Sequence, residues 1–148
     1  MIWTEISGEF YGENFSPANA EKRTGLSFME KNEVGEIGKS GRFKNKPMPY
    51  GSATLMPPLQ ITSDNADYGI EWLTDTIAKL YADFEATGVT SITLSAKVFH
   101  DGQCNLEFSS QLLKKLGSAR IQLTISCVED PDYVTKSIAE ARLMLQSR

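Results

Sequence analysis

The chain has 148 residues, 41% of them hydrophobic and 23% charged, with a net charge of −4. A chain of this length removes roughly 70% of its unfolded surface from water, so one hydrophobic core and a single domain over 1–148 are expected. The acidic balance argues against a general nucleic-acid binder, which needs a basic surplus, and the composition excludes most disordered classes.

Met1-Ile2-Trp3-Thr4-Glu5 lacks the basic start and apolar stretch of a signal peptide. No apolar run approaches the roughly 20 residues that cross a bilayer. Two cysteines, Cys104 and Cys127, are too few for a disulfide scaffold. A cytoplasmic protein with reduced thiols and no membrane contact is expected.

In chain order, Ile2–Phe10 reads as an imperfect strand, with Gly8 marking a bulge or a close backbone approach. Ser16-Pro17 opens a short helix, with Ser16 as N-cap and Pro17 at the first helical position. Phe15 and Ala20 form a staple, and Gly25 supplies the left-handed end. From Leu26 to Tyr50 the pattern dissolves among Gly35, Gly38, Gly41, Pro47 and Pro49. A long Gly-rich, basic loop is expected over about 26–50, with a short strand at Leu26–Met29. Gly51–Met56 reads as a strand. A helix over Asp67–Thr87 follows, its apolar stripe running through Ile70, Leu73, Ile77, Leu80, Tyr81 and Phe84, with Gly88 as the stop.

Ile92, Leu94, Ala96 and Val98 alternate with polar residues, as do Cys104, Leu106 and Phe108. A two-residue turn would put the two apolar sets on opposite faces. A three-residue loop His100-Asp101-Gly102 instead pairs Val98 with Cys104, Ala96 with Leu106 and Leu94 with Phe108. Ser109 or Ser110 caps a helix carrying Leu112, Leu113 and Leu116 and ended by Gly117. Ile121–Cys127 alternates as a half-buried strand. Asp130-Pro131 opens a last helix with Val134, Ile138, Ala141 and Leu145 inward. The expected fold is α+β. A ferredoxin-like βαββαβ unit over about 51–128 is preceded by a strand and a short helix and followed by a C-terminal helix. The sheet is mostly antiparallel with helices on one face. That layout hosts many functions and names none.

Gly35-Glu36-Ile37-Gly38-Lys39-Ser40 imitates a phosphate-binding P-loop, but the first glycine would have to stand where Glu33 does. The same stretch carries a second signal. Lys39, Arg42, Lys44 and Lys46 fall together with no acid among them, and with Ser40 and the amides of Gly38 and Gly41 they make a candidate anion-binding loop over 38–46. The competing explanation is a solvated, mobile loop.

The opposite charge gathers next. Asp64 to Glu85 holds six acids and one base, Lys79. Asp67, Glu71 and Asp75, with Trp72 beside them, make a candidate docking face for a basic protein partner such as a toxin. The bland alternative is a solvent face plus acids that favour the helix N-terminus. His100 is the sole histidine and sits at the expected turn, while Cys104 is expected to face the core, so no nucleophile–base pair forms. One His, no CxxC and no HxxxH leave no metal site, and Asp130 and Asp132 are explained by a helix cap. The outward Gln103, Asn105 and Glu107 lack the aromatics of an RNA-binding sheet. No catalytic residue, metal or cofactor is expected.

Phe15-Ser16-Pro17 leading to Thr24-Gly25-Leu26, the Gly-and-base-rich segment, the acidic helix, the paired strands and Leu112-Leu113-Lys114-Lys115-Leu116 before a final strand together resemble a bacterial family. It is the family catalogued as domain of unknown function 4279. The family pattern places a Trp in the strand before the long helix, and Tyr50–Leu55 has none. The resemblance implies a small cytoplasmic α+β protein without an assigned reaction. The expected function is a non-catalytic binding protein of immunity or inhibitor type. The alternative is a small anionic-ligand or nucleotide-binding domain using loop 38–46.

Overall fold

The structure, a computed structural model, describes residues 1–59 and 69–147. Among the described residues a five-stranded sheet has the order β2-β3-β1-β4-β5. Its strands are β1 Ile2–Gly12, β2 Lys31–Asn32, β3 Gly51–Leu55, β4 Ser91–His100 and β5 Gln122–Glu129. The helices are α1 Pro17–Thr24, α2 Ile70–Lys79, α3 Tyr81–Ala86, α4 Ser110–Ser118 and α5 Pro131–Gln146. The α+β class and the mostly antiparallel sheet hold. The β1·β3, β1·β4 and β2·β3 pairs are antiparallel, and β4·β5 is parallel.

The expected hairpin across residue 101 does not form. β4 pairs along its whole length with β1, from Ile2↔His100 to Tyr11↔Ser91, and its other edge takes β5. A strand has two edges, and both are occupied. Leu94 therefore faces Gly8 and Leu123 rather than Phe108. Residues 103–109 lie outside any strand, yet Cys104, Leu106 and Phe108 stay half-buried while Gln103, Asn105 and Glu107 are exposed. The alternation was a true signal of facing and a false signal of pairing.

One sheet face carries Ile6, Phe10, Ala53, Leu55, Ile92, Leu94 and Ala96, and Ile70, Leu73, Ile77, Phe84, Leu112 and Leu116 of the helices close over it in one cluster. Gly8 forms no bulge. It is a close approach, since a Cβ there would stand 3.4 Å from Ile77 Cδ1. Helices do not all lie on this face, contrary to expectation. Tyr133 of α5 packs its ring 4.3 Å from Phe99 and donates its hydroxyl to Glu5. Phe99 and Glu5 alternate with the core residues Val98 and Ile6, so α5 covers the back of the sheet.

Local signals placed the helix ends well. Ser16 Oγ accepts from the Asn19 N–H at 3.3 Å, Pro17 begins α1, and Gly25 ends it at φ +74°. Asp130 caps α5 by accepting from the Tyr133 N–H at 3.0 Å. The expected Asp67–Thr87 helix is instead two helices broken at Leu80, whose φ of −107° and ψ of 12° interrupt the ladder. Its first residues, Asp67 included, lie outside the described residues.

The hydroxyl of Thr4 is buried on the core side of β1 and has no hydrogen-bond partner among the described residues. An orphaned buried hydroxyl costs about 1–3 kcal/mol, and valine has nearly the same shape. Thr4→Val is therefore expected to stabilise the fold by about 1 kcal/mol, read as a higher urea midpoint at unchanged slope. A lower midpoint would show that the hydroxyl is satisfied.

Candidate functional site

The segment between α1 and β3 is a built structure rather than a slack loop. Phe28 is buried against Phe10, their ring centroids 5.7 Å apart. Glu21 pairs with Lys31 and accepts from the Phe28 N–H, and these bonds, that to Lys31 first, hold its carboxyl below its ordinary value. Lys31–Asn32, not the expected Leu26–Met29, forms the short strand, pairing with Ser52 and Ala53. The Asn32 side chain donates to the Tyr50 carbonyl at 2.8 Å.

Beyond β2 the chain doubles back on itself. The Gly35 N–H donates to Met48 O at 2.7 Å, Met48 N–H to Glu36 O at 2.8 Å, and Gly38 N–H to Lys46 O at 2.9 Å. Ile37 bridges Pro47, and a 3-10 turn at Gly41–Phe43 closes the tip. Gly38 is buried because a Cβ there would meet the Phe43 carbonyl oxygen at 2.2 Å. Phe43 stacks edge-on to Tyr50, which packs on Tyr11 of β1. Of the glycines that read as breakers, Gly38 marks a close approach of two backbones, whereas Gly35 and Gly41 supply left-handed turns at φ +82° and +67°.

This hairpin brings Lys39, Ser40, Arg42, Lys44 and Lys46 together on one tip, all exposed. Arg42 lies over the neighbouring Phe43 ring, 5.5 Å from its centroid. Among the described residues, the ion pairs involve none of these four cations. Ser40 makes no capping bond. The tip thus carries four exposed cations on a hydrogen-bonded backbone.

The acidic candidates meet a different environment. Glu71 and Asp75 sit one turn apart on α2, and Lys115 of α4 reaches both, at 2.9 Å and 3.1 Å. Bonds to Glu71 first and Asp75 second push the Lys115 ammonium up from its ordinary value. Lys114 and Arg120 stand with Lys115 along a groove of about 660 Å³ beside Asp75 and Tyr81. Trp72 is half-buried and packs against the core. The face is therefore mixed in charge. Sequence reasoning missed Lys115 because it lies on another helix, 40 residues from Asp75.

The remaining reactive groups among the described residues are His100 and the adjoining thiols of Cys104 and Cys127. His100 Nδ1 lies 2.6 Å from the Gly102 carbonyl oxygen, which makes Nδ1 the donor. Burial, and next the adjoining Cys127 thiol, push the Cys104 thiol up. That is the opposite of an activated nucleophile, which needs a lowered value. Among the described residues no group of three or more His, Cys, Asp or Glu side chains could hold a metal ion, and no helix is long and apolar enough to cross a membrane.

Comparison with protein-family models, curated proteins and solved structures finds no match to this chain. The resemblance drawn from the sequence rests on the residues quoted for it.

Proposed function

We propose that this chain is a non-catalytic binding protein that engages an anionic ligand, of phosphate or carboxylate chemistry, through the tip of the 35–48 hairpin. One observation carries the reading: four exposed cations on a hydrogen-bonded hairpin, none of them tied into an ion pair among the described residues. Rigid placement matters because cations on a slack loop lose side-chain and backbone entropy on binding, whereas here most of the backbone cost is met by folding. Close cations also raise the local anion concentration and guide the approach.

Inorganic tripolyphosphate is the probe. Calorimetric titration at low salt is expected to show binding that weakens as salt screens the cluster. Replacing Lys39, Arg42, Lys44 and Lys46 together by serine is expected to lower affinity by about 100-fold or more, since a hydrogen bond to a charged group contributes about 1.5–3 kcal/mol. Equal binding by the serine variant would remove the hairpin from the account.

A second reading keeps the α2 face as the docking surface of an inhibitor-type protein for a basic partner. Its support is that Glu71 and Asp75 keep 54% and 56% of their side chains exposed despite Lys115. Exposed pairs of this kind are weak, so an incoming cation can displace Lys115. Binding of a poly-lysine probe should then fall on reversal of Glu71 and Asp75 and rise with Lys115→Met. No change in either variant would exclude that face.

A further inference from the structure

The sheet ends in two very different edges. At one, β2 is two residues long and offers little to pair with. At the other, β5 runs for eight residues, and past its pairing with β4 no described residue bonds to its outer backbone. Natural sheets protect long edges with Pro, Lys, bulges or a covering element. Gln122–Glu129 contains no Pro, Lys or Arg, and Ile125, Cys127 and Val128 are exposed. The helices that flank β5 do not cover the edge: α4 packs under the core face, and α5 crosses behind β4 and β1.

We propose that β5 is the interface by which two copies of this chain join, edge to edge and antiparallel, into one continuous sheet about a two-fold axis. The sequence of the strand argues for a second copy rather than a foreign strand. An antiparallel pair keeps facing residues on the same side of the sheet, so a two-fold axis must pass through one residue. Centred on Ile125, the pairing sets Ile125 against Ile125, Leu123 against Cys127 and Thr124 against Ser126. Like thus meets like at these central positions, while Gln122 falls against Val128. Centred on Ser126, it would set Leu123 against Glu129. The Ile125 register also carries exposed Arg120, just before the strand, to the Glu129–Asp130 end of the other copy, twice by symmetry. A pairing centred on Thr124 would also match polarity, Leu123 with Ile125 and Gln122 with Ser126, but it sets Arg120 against Val128, so charge selects the Ile125 alignment.

A strand pair alone is smaller than a standard interface, so the dimer is expected to be weak and concentration-dependent. The interface is separate from the hairpin, so either proposal stands without the other. Sedimentation velocity under reducing conditions, from about 1 µM to about 1 mM, is expected to show a monomer passing to a dimer. Amide exchange at 122–129 should slow over the same range. Ile125→Lys places two ammoniums face to face at the axis and is expected to weaken the dimer about tenfold or more, with the circular dichroism of the parent. Arg120→Glu, outside the strand, should weaken it as well and serves should the first variant not fold. A chain that stays monomeric to about 1 mM, or a dimer that both variants leave intact, overturns the proposal.

Discussion

Gly51→Ala is expected to destabilise the fold by about 3 kcal/mol or more, the upper end of what forced overpacking costs. A Cβ at residue 51 would stand 1.9 Å from the Phe15 carbonyl oxygen and 2.8 Å from its carbon. The obstacle is backbone, so no rotamer change relieves it. The Asn14–Phe15 backbone is held from other sides as well: Cβ atoms at Gly12 and Gly88 would lie 2.1 Å from Gly88 O and 2.3 Å from Asn14 O. The Ser16 N–H donates to Thr87 O across the same junction at 3.0 Å. The end of β1, the start of β3 and the turn into β4 therefore lock together through glycines. Gly25→Ala is the control. Its φ is +74° but nothing lies within 4 Å, so the cost should be the left-handed penalty alone, about 1 kcal/mol. Urea unfolding of both variants separates steric from conformational cost, and equal losses would refute the junction.

Phe10→Ala is expected to cost about 3–5 kcal/mol, the range for removing a buried aromatic. Phe10 is 1% exposed. Its ring centroid lies 4.5 Å from that of Phe84 on α3 and 5.7 Å from that of Phe28, between α1 and β2. Deletion leaves a cavity shared by three segments, which cannot all collapse into it. Against a total stability of about 5–15 kcal/mol, a loss of this size leaves a marginal domain. Phe43→Ala, on the half-exposed hairpin, should cost well under half as much. A Phe10→Ala midpoint within the range of ordinary surface variants would show that the core is not centred there.

What could be read from the sequence divides along the range of the interactions. α1 and α5 were legible because Ser16, Pro17, Gly25, Asp130 and Pro131 act on their own neighbours. The facing of Leu94, Ala96 and Val98 was legible because alternation is a local property. The partner of β4 was not, since Ile2–Gly12 lies some 90 residues away and competes for the edge that the nearby 104–108 segment was expected to take. The break at Leu80 left the apolar stripe of the expected helix intact, so periodicity could not reveal it.

The candidate site follows the same division. The four cations of the hairpin were visible as a run, because they lie within eight residues. Their scaffold was not, because the ladder from Gly35 to Met48 uses glycines that also mark slack chain. The acidic run on α2 was visible too, but Lys115, which tempers it, arrives from α4 only on folding.

The binding account turns on where an anion settles. Residue-resolved amide shifts from nuclear magnetic resonance, followed as tripolyphosphate is added, locate it directly. The account predicts saturable changes at residues 38–46, with β5 and the α2 face unmoved. Shifts centred instead on Lys114, Lys115 and Arg120, or a spectrum that does not change at all, would contradict it.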